Sequence, residues 1–431
     1  MMDGFVRHAV LLFLALRIGD IVNAAAGMWF VPKYVKPEDL GAVLPITSFA
    51  TFLSLPVFAF AMTVMKESAC LAATGERGRI KSLLSGVFVA VAVATAVVLC
   101  AAAALLPRFL GAMRVSDGIA GLFIVSAAFL GCVAPVYTDA LQSLKRFSSL
   151  AAIEVVGSAV RFLVMLMVMP IMALTGYFMG QAALPVFRIA GSVFMLRRDM
   201  SVRAEPFWDR AVVRRMTVAF LLILAYQAMP MAASLLEQSI IRTALPSVDS
   251  AGYYMVSRFA DFLHYLTFPL LLVMFPYTAV AARKGGSTCP YVVRCSVVTL
   301  AVSMLMAVVY VFFGMELLSL MPNGENYIVY IEYMPWLVLI NALTTCQVFY
   351  ANAEVSAGRF GFLWWFAPLH LIYMGGLLFV RQCGSPLSLP LLIGCFGAIS
   401  ILRFVFSVIA VWRQERRRLN PSLNPSNGGG Y

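Results

Sequence analysis

An arginine three residues ahead of an aspartate occurs twice inside long apolar stretches of this 431-residue chain. Arg17 precedes Asp20, and Arg258 precedes Asp261, with His264 one residue short of a further turn. Residues three apart share a helix face, so each pair presents a cation and an acid side by side. Other charges embedded in apolar runs are Glu154, Arg161, Arg188, Glu237, Glu332 and Arg403. A charge at mid-bilayer costs about 2.5–3.5 kcal/mol on insertion scales, so these side chains are expected to face a protein interior or a wet cavity. The embedded bases are all arginine. Arginine keeps its charge when desolvated and grips phosphate or carboxylate with two parallel donors. The chemistry in view is therefore anion recognition by Arg17, Arg161, Arg188, Arg258 and Arg403. Asp20, Glu154, Glu237, Asp261 and His264 are the candidates for ion coupling or gating. A second reading stays open, in which Arg17 and Arg258 are neutralised by their own aspartates and brace helices.

The elements that must hold these charges are membrane spans. Hydrophobic residues make up 62% of the chain and charged residues 12%, against about 25% charged in soluble domains. That composition excludes a soluble enzyme, a disordered chain and a disulfide scaffold. Runs of roughly 20 apolar residues, the length a crossing helix needs, fall near 9–31, 40–65, 83–106, 118–140, 150–170, 172–196, 216–240, 251–280, 293–317, 327–350, 361–380 and 386–411. A tight turn between Pro170 and Thr175 divides the fifth from the sixth. An even number of spans puts both termini on one side. With the termini inside, the inner segments hold 21 Lys and Arg against 6 in the outer loops. This positive-inside bias assigns most of the net charge of +12 to orientation and removes nucleic acid as a partner. The eight cysteines are sparse and read as free thiols. No nucleophile, nucleotide, cofactor or metal motif is present, so a non-enzyme is expected, with no cofactor and no metal.

The sequence repeats itself. KPEDLGAVLPITSFATFL, ending at Leu53, is echoed by PSVDSAGYYMVSRFADFL, ending at Leu263, at an offset of 210. Lys145-Arg146-Phe147 is echoed by Gly358-Arg359-Phe360 at 213. Six intervening spans give both copies the same orientation, so their axis runs along the membrane normal. The expected fold is an all-α polytopic membrane protein, with twelve transmembrane helices in two six-helix lobes related by a pseudo-two-fold. Residues 1–196 form the first lobe and 216–411 the second. Residues 197–215 are a basic cytoplasmic linker, and 412–431 a cytoplasmic tail with disordered composition.

The segments VPKYVKPEDLGAV (31–43), LQSLKRFSSLAAIEVVGSAVRF (141–162) and LLEQSIIRTALPSVDSAGYYMVSR (235–258) carry a family resemblance. The chain resembles the multidrug/oligosaccharidyl-lipid/polysaccharide exporter superfamily, and within it the O-antigen and polysaccharide flippases. It departs from their span-eight pattern at Ser257, where alanine is usual, and at Arg258, which comes one place early. The resemblance implies a bacterial inner-membrane flippase with both termini cytoplasmic. Such a protein moves a polyprenyl-diphosphate-linked oligosaccharide by alternating access for surface polysaccharide synthesis. Arg17 and Arg258 would hold the diphosphate. Implied partners are that lipid-linked substrate, membrane lipids, H+ or Na+, and polysaccharide polymerase machinery. The alternative within the superfamily is a proton- or sodium-coupled multidrug exporter.

Overall fold

The structure, a computed structural model, describes residues 14, 17–19, 21, 24, 26–74, 76–113, 118–143, 146–197, 203–283, 286–382 and 388–419. Every regular element among them is helical. A π-helical turn, Ala26–Phe30, leads into short helices α1 (Val31–Tyr34) and α2 (Pro37–Leu40). Then follow α3 (Val43–Leu53), α4 (Leu55–Thr74), α5 (Arg77–Ala112), α6 (Gly118–Ser143) and α7 (Phe147–Leu196). After the linker come α8 (Arg210–Ala244), α9 (Ser247–Arg283), α10 (Cys289–Ser319), α11 (Tyr333–Ser356), α12 (Leu363–Gln382) and α13 (Leu389–Leu419). Among the described residues, six helices are long and apolar enough to cross a membrane, or seven if α3 and α4 count as one span bent by 54°. The bend falls just ahead of Pro56, whose ring cannot donate to the preceding turn. Exposed apolar side chains such as Met167, Ile171, Phe312 and Trp364 run along the helices, as a bilayer-covered surface requires.

The fifth and sixth runs lie within α7, which reverses at Ala173 (φ 43°, ψ −113°). The arm before it (α7a) and the arm after it (α7b) form an antiparallel hairpin, and glycines let the two backbones close. A side chain at Gly176 would meet the Met169 backbone at 2.7 Å, and one at Gly180 would run into the Met165 side chain. Farther along, Gly157 faces Leu184 and Phe187, and Gly191 faces Ile153. At the open end Arg146 Nη1 donates to the Met195 carbonyl at 3.0 Å. Small residues at the seam are how membrane helices gain contact without a hydrophobic drive between them.

The described segment ahead of α8, residues 203–209, is docked. Glu205 N–H donates to the Gly78 carbonyl at 3.2 Å, Ser82 Oγ donates to the Glu205 carbonyl, and Trp208 Nε1 donates to the Ser82 carbonyl at 3.2 Å. Phe207 enters the core cluster that includes Leu83, Phe129 and Leu141, and Asp209 caps α8 through Val212 N at 2.7 Å. Arg215 pairs with Glu67 of α4.

Two compact units result: Met1–Tyr254 with Met321–Asn323, and Met255–Leu320 with Gly324–Tyr431. Within the first, α8 packs against α3 and α4. Within the second, α11 packs against α10 and α13.

The repeat is written in the backbone. The Val35 N–H to Val31 carbonyl bond has a counterpart in Leu245 to Ile241, and Leu40 to Lys36 has one in Ser250 to Pro246. Glu76 to Leu71, a helix-ending closure, recurs as Gly286 to Ala281. Each counterpart stands 210 residues on. The closure of Arg146 onto Leu141 recurs 213 residues on as Arg359 onto Glu354.

Candidate functional site

In the first unit Arg161 of α7a is held against the first span. Arg17 lies in the helical stretch 17–19 and is half-buried. Two residues on, the Gly19 carbonyl accepts from Arg161 Nη2 at 2.9 Å. A side chain at Gly19 would meet Ser158 Oγ at 2.8 Å, so the two helices touch there. Phe30 packs edge-on against Phe162 with centroids 5.4 Å apart. Arg161 is only 5% exposed. Asp20 lies outside the described residues.

Glu154 shares an α7a face with Arg161 in sequence, yet its partner is Arg188 across the hairpin. Glu154 Oε2 accepts from Arg188 Nη2 at 2.5 Å and from Nε at 3.2 Å. The antiparallel register explains this choice, since Arg188 comes level with Glu154 when Gly191 comes level with Ile153. Glu237, on α8, is half-buried in the same unit.

In the second unit, Arg258 Nη2 and Asp261 Oδ2 form the i,i+3 ion pair at 2.9 Å that the spacing predicts. Both remain partly exposed, and His264 is exposed. Arg403 is buried against the Tyr373 ring, 5.2 Å from its centroid. His370 is wholly buried, and its Nδ1 lies 2.8 Å from the Phe366 carbonyl. Glu332 is exposed at the start of α11.

Three polar residues emerge that sequence reading passed over. Arg242, counted as an outer-loop cation, is 3% exposed and donates from Nε to the Met113 carbonyl at 3.0 Å. Glu354 is buried and pairs with Arg359 at 2.9 Å, where Arg359 also reaches Thr288 Oγ1 at 3.4 Å. Asn323, in the left-handed conformation (φ 61°), donates from Nδ2 to the Pro32 carbonyl at 2.8 Å. Among the described residues, no group of three or more His, Cys, Asp or Glu could hold a metal ion.

No family model matches this sequence, and no curated protein does. Solved structures do. An inward-facing multidrug resistance MATE family transporter of the MOP superfamily aligns over 95% of this chain and 99% of its own, at 13% identity and a TM-score of 0.66. A MOP superfamily transporter from Pyrococcus furiosus, described as having a binding pocket of reverse polarity that suggests a different function, aligns over 96% of each chain at 14% identity and a TM-score of 0.66. The MATE multidrug transporter DinF-BH in complex with rhodamine 6G aligns over 94% of each at 13% identity and a TM-score of 0.64. At such identities the likeness defines the fold. This chain is an all-α multi-pass membrane protein with the fold of MATE transporters, whose twelve helices form two lobes.

Proposed function

We propose that this protein is a flippase that carries a polyprenyl-diphosphate-linked oligosaccharide across the bacterial inner membrane by alternating access, with both termini cytoplasmic. The repeat copies in 1–196 and 216–411 are its functional halves; the linker of 197–215 passes into α8 at Arg210, and the tail of 412–431 begins within α13, which continues to Leu419. One observation carries the choice of an anionic substrate. Arg161 is buried on α7a and bound to the first span within a turn of Arg17, while its sequence neighbour Glu154 is engaged by Arg188. Arginines at such a point offset the hydration a diphosphate loses, and no bond need be made or broken. The sugar headgroup is shielded from hydrocarbon while the polyprenyl tail stays in the bilayer. Arg258, Arg188 and Arg403 are further contacts to test. Asp20, Glu237, Asp261 and His264 are the groups to test for H+ or Na+ coupling, and a polysaccharide polymerase is the partner class.

Export of multidrug substrates is the second reading, favoured by the fold's likeness to MATE multidrug transporters, one of them bound to rhodamine 6G. The test is reconstitution into liposomes with a fluorescent polyprenyl-diphosphate saccharide on one leaflet. The parent is expected to move it, Arg17→Ala to slow it at least about tenfold, and Arg17→Lys to restore little, because a single ammonium lacks the forked donors. Movement of rhodamine 6G without movement of the saccharide lipid would favour drug export instead.

A further inference from the structure

Two hydrogen bonds that look unrelated become one bond written twice when the repeat offset is applied. Asn323 Nδ2 donates to the Pro32 carbonyl, and Arg242 Nε donates to the Met113 carbonyl. Arg242 stands 210 residues after Pro32, and Asn323 stands 210 after Met113. Each bond therefore joins the segment at the end of the first span of one copy to the segment after the third span of the other, once in each direction, with the side-chain donor contributed by the second copy both times. A contact repeated in this reciprocal way is the mark of an isologous interface around a two-fold.

A third contact lies where such an axis must pass. Gly41 and Ala251 are also repeat counterparts, 210 apart. They meet each other: a side chain on Gly41 would sit 2.5 Å from Ser250 Cβ, 2.9 Å from the Ser250 carbonyl carbon and 3.1 Å from the Ala251 nitrogen. Two equivalent positions can touch only at the axis that relates them. Ala251 is wholly buried, and Ser250 Oγ donates back to the Ile241 carbonyl at 2.9 Å, fixing the turn that receives Gly41. All these residues belong to the first compact unit, on the side that the charge count marks as outer.

We propose that the Gly41–Ala251 contact and its two flanking mate bonds, Asn323 to Pro32 and Arg242 to Met113, form a symmetric outer latch that must part for substrate to leave. The inference rests on the transport reading above. It has a specific requirement at residue 41: the closing surface there is Ser250 Cβ and the Ser250–Ala251 backbone, atoms fixed to the main chain that cannot swing away as the end of a long side chain can. The mate bonds each end on a neutral carbonyl, so only the Arg242 bond removes a partner from a buried charge when it is released.

The latch is tested without substrate first. Ala251→Cys, in a background with the native cysteines replaced, is expected to react slowly with a membrane-impermeant maleimide from the outer side. Adding Gly41→Leu is expected to speed labelling several-fold while the protein remains monodisperse. Next, Gly41→Cys with Ser250→Cys is expected to cross-link on mild oxidation, to halt movement of the fluorescent saccharide lipid or of rhodamine 6G, and to recover on reduction. Unchanged labelling in Gly41→Leu, or full transport by cross-linked protein, would each overturn the latch. A latch that labels and cross-links as expected in a parent that moves neither substrate would leave the latch standing and overturn the transport reading.

Discussion

At the scale of single residues, the Glu154–Arg188 pair defines what a charge in this protein is for. Glu154 is nearly buried and Arg188 is about one-third exposed, so the pair lies between the surface and core cases. Breaking a buried pair from one side typically costs about 3–5 kcal/mol, and surface pairs about 0–1. For Glu154→Gln we expect an intermediate loss, about 1–3 kcal/mol, read as a lower unfolding temperature in detergent. Glu154→Gln with Arg188→Met is expected to recover part of it, because no charge is then left without its partner. The sequence exposed most charges in the spans, though not Glu354 or Glu67, and it did not expose their partners. The i,i+3 pair Arg258–Asp261 was readable because one helix makes it. Glu154–Arg188 and Arg161–Gly19 cross between helices, and partner choice there depends on a register that only packing sets.

Elements tell a similar story. Eleven of the twelve runs found by hydropathy correspond to described helices or arms of helices, and the first is described only in part. The turn between the fifth and sixth was legible from Pro170 to Thr175, and the reversal falls at Ala173. What hydropathy could not give was the tightness of that hairpin, which resides in glycines that look incidental in a linear reading. Ala173 adopts a positive φ that favours glycine, so Ala173→Gly is expected to raise stability by about 1 kcal/mol, measured by thermal unfolding. Gly180→Leu should do the reverse by forcing the arms apart at Met165, and the loss should show in the same melt. Pro56 sits at a bend, whereas α6 and α8 run as continuous helices through Pro135 and Pro230.

For the molecule as a whole, the repeat is the strongest link between sequence and fold. Short apolar words such as FATFL and FADFL suggested it, and backbone closures at the same offset of 210 establish it at three places. Compactness nevertheless follows a different line from the repeat, because α8 and the first turns of α9 pack with the first six spans. The linker was read from composition as a basic tether. Its aromatic pair Phe207 and Trp208 is what docks it, a signal present in the sequence but masked by the surrounding arginines. Orientation is open to direct measurement. A fluorescent protein fused after Tyr431 should fluoresce, and alkaline phosphatase fused after Lys36 should be active, if the arginine-rich side is cytoplasmic. The opposite pair of results would invert the topology and place the latch on the inner face.

The α7 hairpin also bears on how the chain is made. The contacts between its two arms lie within about 50 residues of sequence, so they can form as soon as α7b has been synthesised, before any later helix exists. Glu154 and Arg188 would each carry a substantial insertion penalty if their helices entered lipid singly. Folded back together, they neutralise one another ahead of that step. The fifth and sixth spans are thus suited to enter the membrane as a pair, with the salt bridge acting during biogenesis as an escort for both charges.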